Sequence, residues 1–145
     1  VSLVTDIADA VVAELNAAPP GTFSQAFTAV RRVRPEFDLQ DLETLQVSVV
    51  PKQHTMRAIT RGATLHEPVV TIGVQKRIES DEDAETAALG VLTDEIARHL
   101  RQRPLAAMPG AVWAGTEIEP VYAPEHLAEH RVFTSVVTVN YQWME

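Results

Sequence analysis

The residues whose types and spacing could do chemistry lie near the end of the sequence. His126-Leu127-Ala128-Glu129-His130 matches H-x-x-E-H, in which one helical turn brings two imidazoles to a zinc ion and a carboxylate to its bound water. Such a site needs a third protein ligand and enough helix to hold the spacing. Pro124 and the strand-like run after Arg131 leave a helix of about two turns, and within this sequence only Glu145 follows as an acid. A polar surface turn is therefore expected here, with a small α+β metalloenzyme using His126, Glu129 and His130 as the alternative. Glu117 and Glu119 form a carboxylate pair, but alternation along a strand places both on one solvent face as readily as in a cleft. His99 adjoins the Leu100 end of an apolar stripe, where a boundary histidine is the ordinary outcome.

Other catalytic signatures are absent from the sequence. Its six glycines never fall in a G-x-G-x-x-G or Walker spacing, and no serine sits in a G-x-S-x-G elbow. Without cysteine there is no disulfide, thiolate metal site or thiol nucleophile. No catalytic residue, metal or cofactor is expected. A formal charge of −8 opposes the general phosphate attraction on which non-specific nucleic-acid binding rests. No stretch is long and apolar enough for a membrane span, and the first residues lack a basic region ahead of their apolar run, so neither membrane attachment nor targeting is expected.

Charge is segregated. Bases gather at Arg31, Arg32 and Arg34 and again between Lys52 and Arg61, whereas Glu79, Asp81, Glu82, Asp83 and Glu85 form a run of five acids without a base. Residues 52–64 read as a polar excursion of 13 residues with Gly62 as its turn, longer than ordinary hairpin loops of two to five residues. Lys52, His54, Met56, Arg57, Ile59 and Arg61 are the candidate interface residues of this arm. Its few apolar side chains imply mobility in the free subunit and ordering on a partner. The acids of 79–85 are the candidate pore-lining or partner-facing loop.

The elements that must position these residues follow from periodicity. Val4, Ile7, Val11 and Leu15 predict a helix over about Leu3–Ala18, capped by Ser2 or Thr5 and stopped by Pro19-Pro20-Gly21. Alternation with Phe23, Phe27 and Val33 on one face predicts a long strand over Thr22–Arg34. Asp38 can cap a short turn through Leu39, Leu42 and Leu45, and Val47–Val50 reads as a strand ended by Pro51. After the arm, Pro68–Val74 resumes a strand. Leu89, Leu92, Ile96 and Leu100 define a second helix, with Arg98, Arg101 and Arg103 at its C-terminal end before Pro104. A loop over Pro104–Gly115, a short strand over Glu117–Tyr122, a helical turn over Pro124–His130 and a strand over Val132–Tyr141 complete the chain.

At 145 residues, 46% of them apolar, the chain fits a single domain over 1–145 that buries roughly 68–70% of its unfolded surface. The expected fold is α+β (α/β). Two long helices pack on one face of a mostly antiparallel or mixed sheet of four to five strands, and a hairpin arm protrudes.

This layout resembles the tail-terminator or tail-completion proteins of long-tailed bacteriophages over nearly the whole chain. The resemblance rests on the helix wording Asp6–Asn16, the strand Phe23–Ala29 running to Arg31 and Pro35, the acidic Leu39–Leu42 turn leading to Val47–Pro51, Val70–Lys76, the helix end Glu95–Leu100 and the closing strand Phe133–Tyr141. It implies a structural virion protein, usually a hexameric ring, at the head-proximal end of the tail. Such a ring ends tail-tube polymerisation and takes part in joining tail to head. Its implied partners are further copies of itself, the tail-tube protein and a neck or head-closure protein, with assembly in the host cytoplasm. Duplex DNA would pass through without specific binding, and because it carries one charge per about 1.7 Å, an acidic lining suits that passage. A head-closure or other neck protein is the nearest alternative within the resemblance. A third reading, from another class, is an immunity-type protein that sequesters a basic partner through the 79–85 acids.

The incomplete ligand set at His126 and His130 generates a first prediction. Chelator should leave the melting temperature unchanged, and one tightly bound equivalent of zinc, lost in His130→Ala, would establish the metalloenzyme reading instead.

Overall fold

Ser2 begins the first helix as expected: its Oγ accepts a hydrogen bond from the Thr5 N–H at 3.3 Å, and Leu3–Asn16 follows as α1. A computed structural model describes residues 2–33 and 41–145. Ile7, Ala8, Ala10, Val11 and Leu15 form the buried stripe of α1. Asn16 then reaches across the chain, donating through Nδ2 to the Ala29 carbonyl at 3.0 Å and accepting the Ala29 N–H at 2.8 Å. This pair fixes the start of β1, Ala29–Arg31.

The long strand expected over Thr22–Arg34 is thus only three residues within the described part, and Arg34, like the Asp38 cap and Leu39, lies outside the described residues. Its alternation has another cause. Phe23 and Phe27 pack together with ring centroids 5.0 Å apart, and Phe23 meets the His99 ring edge-on at 5.2 Å. Ser24 donates through N and Oγ to Glu95 at 2.9 and 2.7 Å. Side chains tie this segment to the second long helix, and no strand ladder holds it.

After a 3-10 turn at Asp41–Glu43, where Leu42 is buried, come β2 (Gln46–Thr60) and β3 (Ala63–Arg77), paired antiparallel. The expectation that Pro51 ends the strand is corrected: β2 runs through it with a bulge between Pro51 and Gln53. β1 pairs with β2 only as far as Val49, so among the described residues the outer edge of β2 beyond that point has no partner, and a missing N–H breaks no ladder there. Residues 52–64 are therefore not a loop excursion. They are the far half of a hairpin whose pairing continues through Met56↔His66 to Thr60↔Ala63. The weak alternation there arises because most side chains of both faces meet water.

α2 (Glu82–Leu100) carries the expected Leu89, Leu92, Ile96 and Leu100 stripe, and Asp81 caps it by accepting from the Ala84 N–H. β4 (Val112–Ile118) starts within the Ala-, Gly- and Pro-rich stretch expected to be loop. The expected strand over Glu117–Tyr122 is displaced accordingly. Residues 119–123 stay against β5 irregularly, through Glu119 N–H to the Val136 carbonyl and Ala123 N–H to the Thr134 carbonyl. α3 is Pro124–His130, ended by Arg131 in the left-handed region at φ 52°. β5 runs over Val132–Met144, three residues past its expected end at Tyr141.

The sheet is mixed, ordered β1-β2-β3-β5-β4, with β1 parallel to β2 and every other pair antiparallel. The register Val49↔Ile72↔Val137 aligns one face, which Val47, Val70, Val74, Val139, Phe133 and Tyr141 extend. These residues and the stripes of α1 and α2 form one core cluster, so both long helices cover the same face. The opposite face carries Thr71, Thr134, Thr138 and Asn140, all half-buried, while Ser48, Gly73 and Gln75 on the same face are buried.

Ile72 is fully buried at the centre of this packing, and Ile72→Ala should cost about 2–5 kcal/mol of unfolding free energy in a urea titration. Tyr141 is also fully buried, but its hydroxyl has no hydrogen-bond partner among the described residues, and burial pushes its pKa up. Tyr141→Phe should therefore leave stability equal to or up to about 1 kcal/mol above the parent, and a loss of similar size would reveal a hydrogen bond at that hydroxyl.

Candidate functional site

The histidine motif does not converge. His126 turns its Nδ1 to Thr134 Oγ1 on β5 at 2.8 Å, while His130 Nε2 lies 3.9 Å from Glu129 on a side of α3 where both are more than half exposed. Among the described residues no three His, Cys, Asp or Glu side chains gather in metal-holding geometry. Glu117 and Glu119 do lie together. The hydrogen bond and negative charge of Glu119 hold the Glu117 carboxyl above its ordinary range, opposed by the Lys52 ammonium. Glu117 lines an open polar cleft together with Lys52, Glu67, Thr138 and Asn140.

The arm residues occupy the solvent-exposed end of the hairpin. Met56 is 63% exposed and Ile59 46% exposed, unusual for apolar side chains of this size. Arg57 pairs across the strands with Glu67 at 3.0 Å and Arg61 is exposed at the tip, whereas Lys52 lies well back from it, in the bulge between Pro51 and Gln53 and beside Glu117. His54 is not free. Its Nε2 lies 2.8 Å from His66 Nδ1, and His66 Nε2 lies 3.1 Å from Glu145. Glu145 also exchanges backbone hydrogen bonds with Thr64 at 2.9 and 3.0 Å, so the end of β5 accompanies β3 almost to the hairpin tip. The arm expected to be mobile is instead braced by three strands. Sequence reasoning missed the Glu145–His66–His54 chain because only the hairpin register brings positions 54 and 66 together.

The five acids of 79–85 divide by role. Asp81 is the α2 cap, and Glu85 accepts from the backbone N–H groups of Glu79 and Ser80 at 3.1 and 2.8 Å, which lowers its pKa. Arg131 donates to the Ser80 carbonyl at 3.2 Å. Lys76 lies 3.9 Å from both Glu79 and Glu85, and Glu82 and Asp83 are left to face outward at the start of α2. Charge also meets charge elsewhere on the helical side: Arg31 bonds Asp9, Arg98 bonds Asp94 and Arg103 reaches Glu14 at 3.5 Å.

Open clefts flank Trp113 on the β4 side of the molecule, lined on one side by Arg103, Pro104 and Pro109 and on the other by Ala97, Arg98, Arg101 and Ile118. Trp113 falls within the stretch Pro104–Gly115 expected to be loop. Its position on a sheet edge beside the end of α2 emerges only from the β4–β5 register. Asp94, bonded to Arg98, also lines the second of these clefts.

No protein-family model and no curated protein matches this chain. Among the described residues no helix is long and apolar enough to cross a membrane.

His99 has a pH-dependent consequence. Burial, with the neighbouring Arg103 charge, holds its imidazole below the ordinary pKa, while Glu14 acts in the opposite direction. On acidification the unfolded chain takes up this proton first. The stabilising contribution is thus complete above about pH 6.5 and is lost as pH falls through the lower folded value. His99→Phe, which keeps an aromatic beside Phe23, should show a smaller loss of melting temperature between about pH 7.5 and 5.5 than the parent; identical losses would exclude His99 as a contributor.

Proposed function

We propose that this chain is a structural assembly protein of a long-tailed bacteriophage, a tail terminator that forms a ring at the head-proximal end of the tail. In that role it ends tail-tube polymerisation and contributes to joining tail to head. The phage assignment comes from the sequence resemblance. The assembly assignment is supported chiefly by the separation of opposite charge along β3. Arg61 and the Glu67-paired Arg57, with the exposed Met56 and Ile59, lie at the hairpin end, and Glu82 and Asp83 lie just past the other end. Fourteen strand steps of about 3.3 Å place these poles roughly 45 Å apart. A unit with complementary poles at opposite ends favours head-to-tail contact between copies, and such contacts close into a ring when the subunit rotation divides the circle.

A hexamer is the proposed ring, stacked on the tail-tube protein and facing a neck or head-closure protein, within the virion and assembled in the host cytoplasm. Its net charge of −8 is compatible with passage of DNA that must not adhere. The reading includes no catalytic step.

Particles test the proposal. Deleting the chain should yield tails of irregular length or tails unable to join heads, visible by negative-stain microscopy; normal infectious particles would overturn it. Arg57→Glu with Arg61→Glu should also impair assembly, and Glu82→Lys with Asp83→Lys should restore it in part if the two poles meet. Assembly unaffected by the arm reversals would remove the hairpin from the interface.

A further inference from the structure

We propose that the cleft between α2 and the outer edge of β4 is a docking groove for an extended acidic segment of a second protein, which adds to the sheet as a further strand. β4 is the last strand of the sheet on that side, so the alternate backbone N–H and C=O groups that do not pair with β5 face outward along Val112–Ile118. An unpaired edge of this kind offers an extended peptide main-chain hydrogen bonds without regard to sequence, and neighbouring pockets then select its side chains.

The cleft beside the edge supplies such selection. It has a volume of about 460 Å³, with Ala97 and Ile118 contributing apolar surface and Trp113 standing at one end. The Trp113 indole N–H donates to Thr116 Oγ1 at 2.8 Å, which holds the ring beside the strand. Arg98 and Arg101 form the α2 side of the cleft. Arg98 already bonds Asp94 at 2.6 Å, whereas Arg101 is exposed and has no ion-pair partner among the described residues. A small residue at position 97 leaves room beside the helix for an incoming side chain.

Charge selects the occupant. In a chain of net charge −8, this cleft is lined by two guanidinium groups and one carboxylate, Asp94, which is bonded to Arg98; the Arg101 guanidinium at the C-terminal end of the helix is left over and favours a strand with a carboxylate on its groove face. A second copy fits poorly. The other long free edge of this sheet, β2 beyond Pro51, carries Lys52 and Arg57 and would bring like charge toward Arg101. The proposal does not rest on the phage assignment and survives its failure.

The test uses the whole chain, isotope-labelled, and a synthetic blocked heptapeptide of sequence Thr-Asp-Thr-Leu-Thr-Asp-Thr, whose alternate residues place Asp, Leu and Asp on one face. Saturable amide shifts should appear along 112–118 and in the last two turns of α2. Replacing both Asp residues of the peptide by Lys, or Arg101→Glu in the protein, should weaken binding at least about tenfold, while Arg101→Lys retains most of it. N-methylation of alternate peptide amides on the bonding edge should abolish it. Arg101 is solvent-exposed, so an unchanged melting temperature checks that the variant remains folded. The proposal is overturned if no saturable shift appears up to millimolar peptide, if the shifts lie elsewhere, or if the N-methylated peptide binds as well. Concentration-dependent dimerisation that protects the 112–118 amides from exchange and is lost in Arg101→Glu would overturn it in favour of a second copy.

Discussion

β3 and β5 run antiparallel from Arg77↔Val132 to Leu65↔Met144, and every other part of the molecule is placed relative to that pair. On the inner side, Val70, Ile72, Val74, Val137 and Val139 present a strip of β-branched side chains against which α1 and α2 pack. Laterally, β2 and β4 each use one of the two central strands as a template. Lengthwise, the pair sets the span of the protein, because β5 supports the hairpin almost to its tip while β3 leads directly into the acidic start of α2. Loss of this pairing would remove the helix-packing surface and the separation of charge together.

One-sided burial has a further consequence. Both long helices cover the same face, so the opposite face is left largely to polar side chains such as Thr71, Thr134, Thr138 and Asn140, of which Thr71 donates to the Val50 carbonyl and Thr134 meets His126 and Gln75. A sheet of this kind has two exposed edges as well as an exposed face. β1 is only three residues long, the free part of β2 carries Pro51, a bulge and cations, and β4 carries a bulge and Glu117. Those devices discourage indiscriminate edge pairing. They do so unequally, because the β4 edge is accompanied by a cleft and a neighbouring helix end.

Charge segregation in the sequence is moderated by folding. Asp81 and Glu85 turn to their own backbone, Arg57 is balanced by Glu67, and Arg103 and Arg31 are drawn to acids of α1. Exposed pairs of this kind contribute little to stability, at most about 1 kcal/mol each, but they determine which charges remain available to another molecule. Arg61 at the hairpin end, Glu82 and Asp83 at the start of α2, and Arg101 at its end stay directed to solvent. The molecular surface therefore has fewer and better separated charged features than the composition suggests.

By itself the sequence determined the α+β class, both long helices and their buried stripes, the α3 turn, the hairpin with its tip near Gly62, and the position of the closing strand. These are encoded by local periodicity, caps and breakers, whose physical range is a few residues. It misread Thr22–Thr28 as strand because Phe23 and Phe27 alternate for packing against each other and His99. It stopped β2 at Pro51 because the prohibition on proline applies to a paired inner strand, and only the tertiary arrangement shows that β1 has already ended there. The same reasoning misjudged residues 52–64, where low apolar content was taken for lack of structure although backbone pairing holds them. The candidate interface cations and acids were legible as clusters, but their division into paired and free groups was not. The His54–His66–Glu145 chain and the Trp113–Arg101 cleft were decided by strand register and helix placement alone, since each joins side chains whose proximity depends on contacts far apart in sequence.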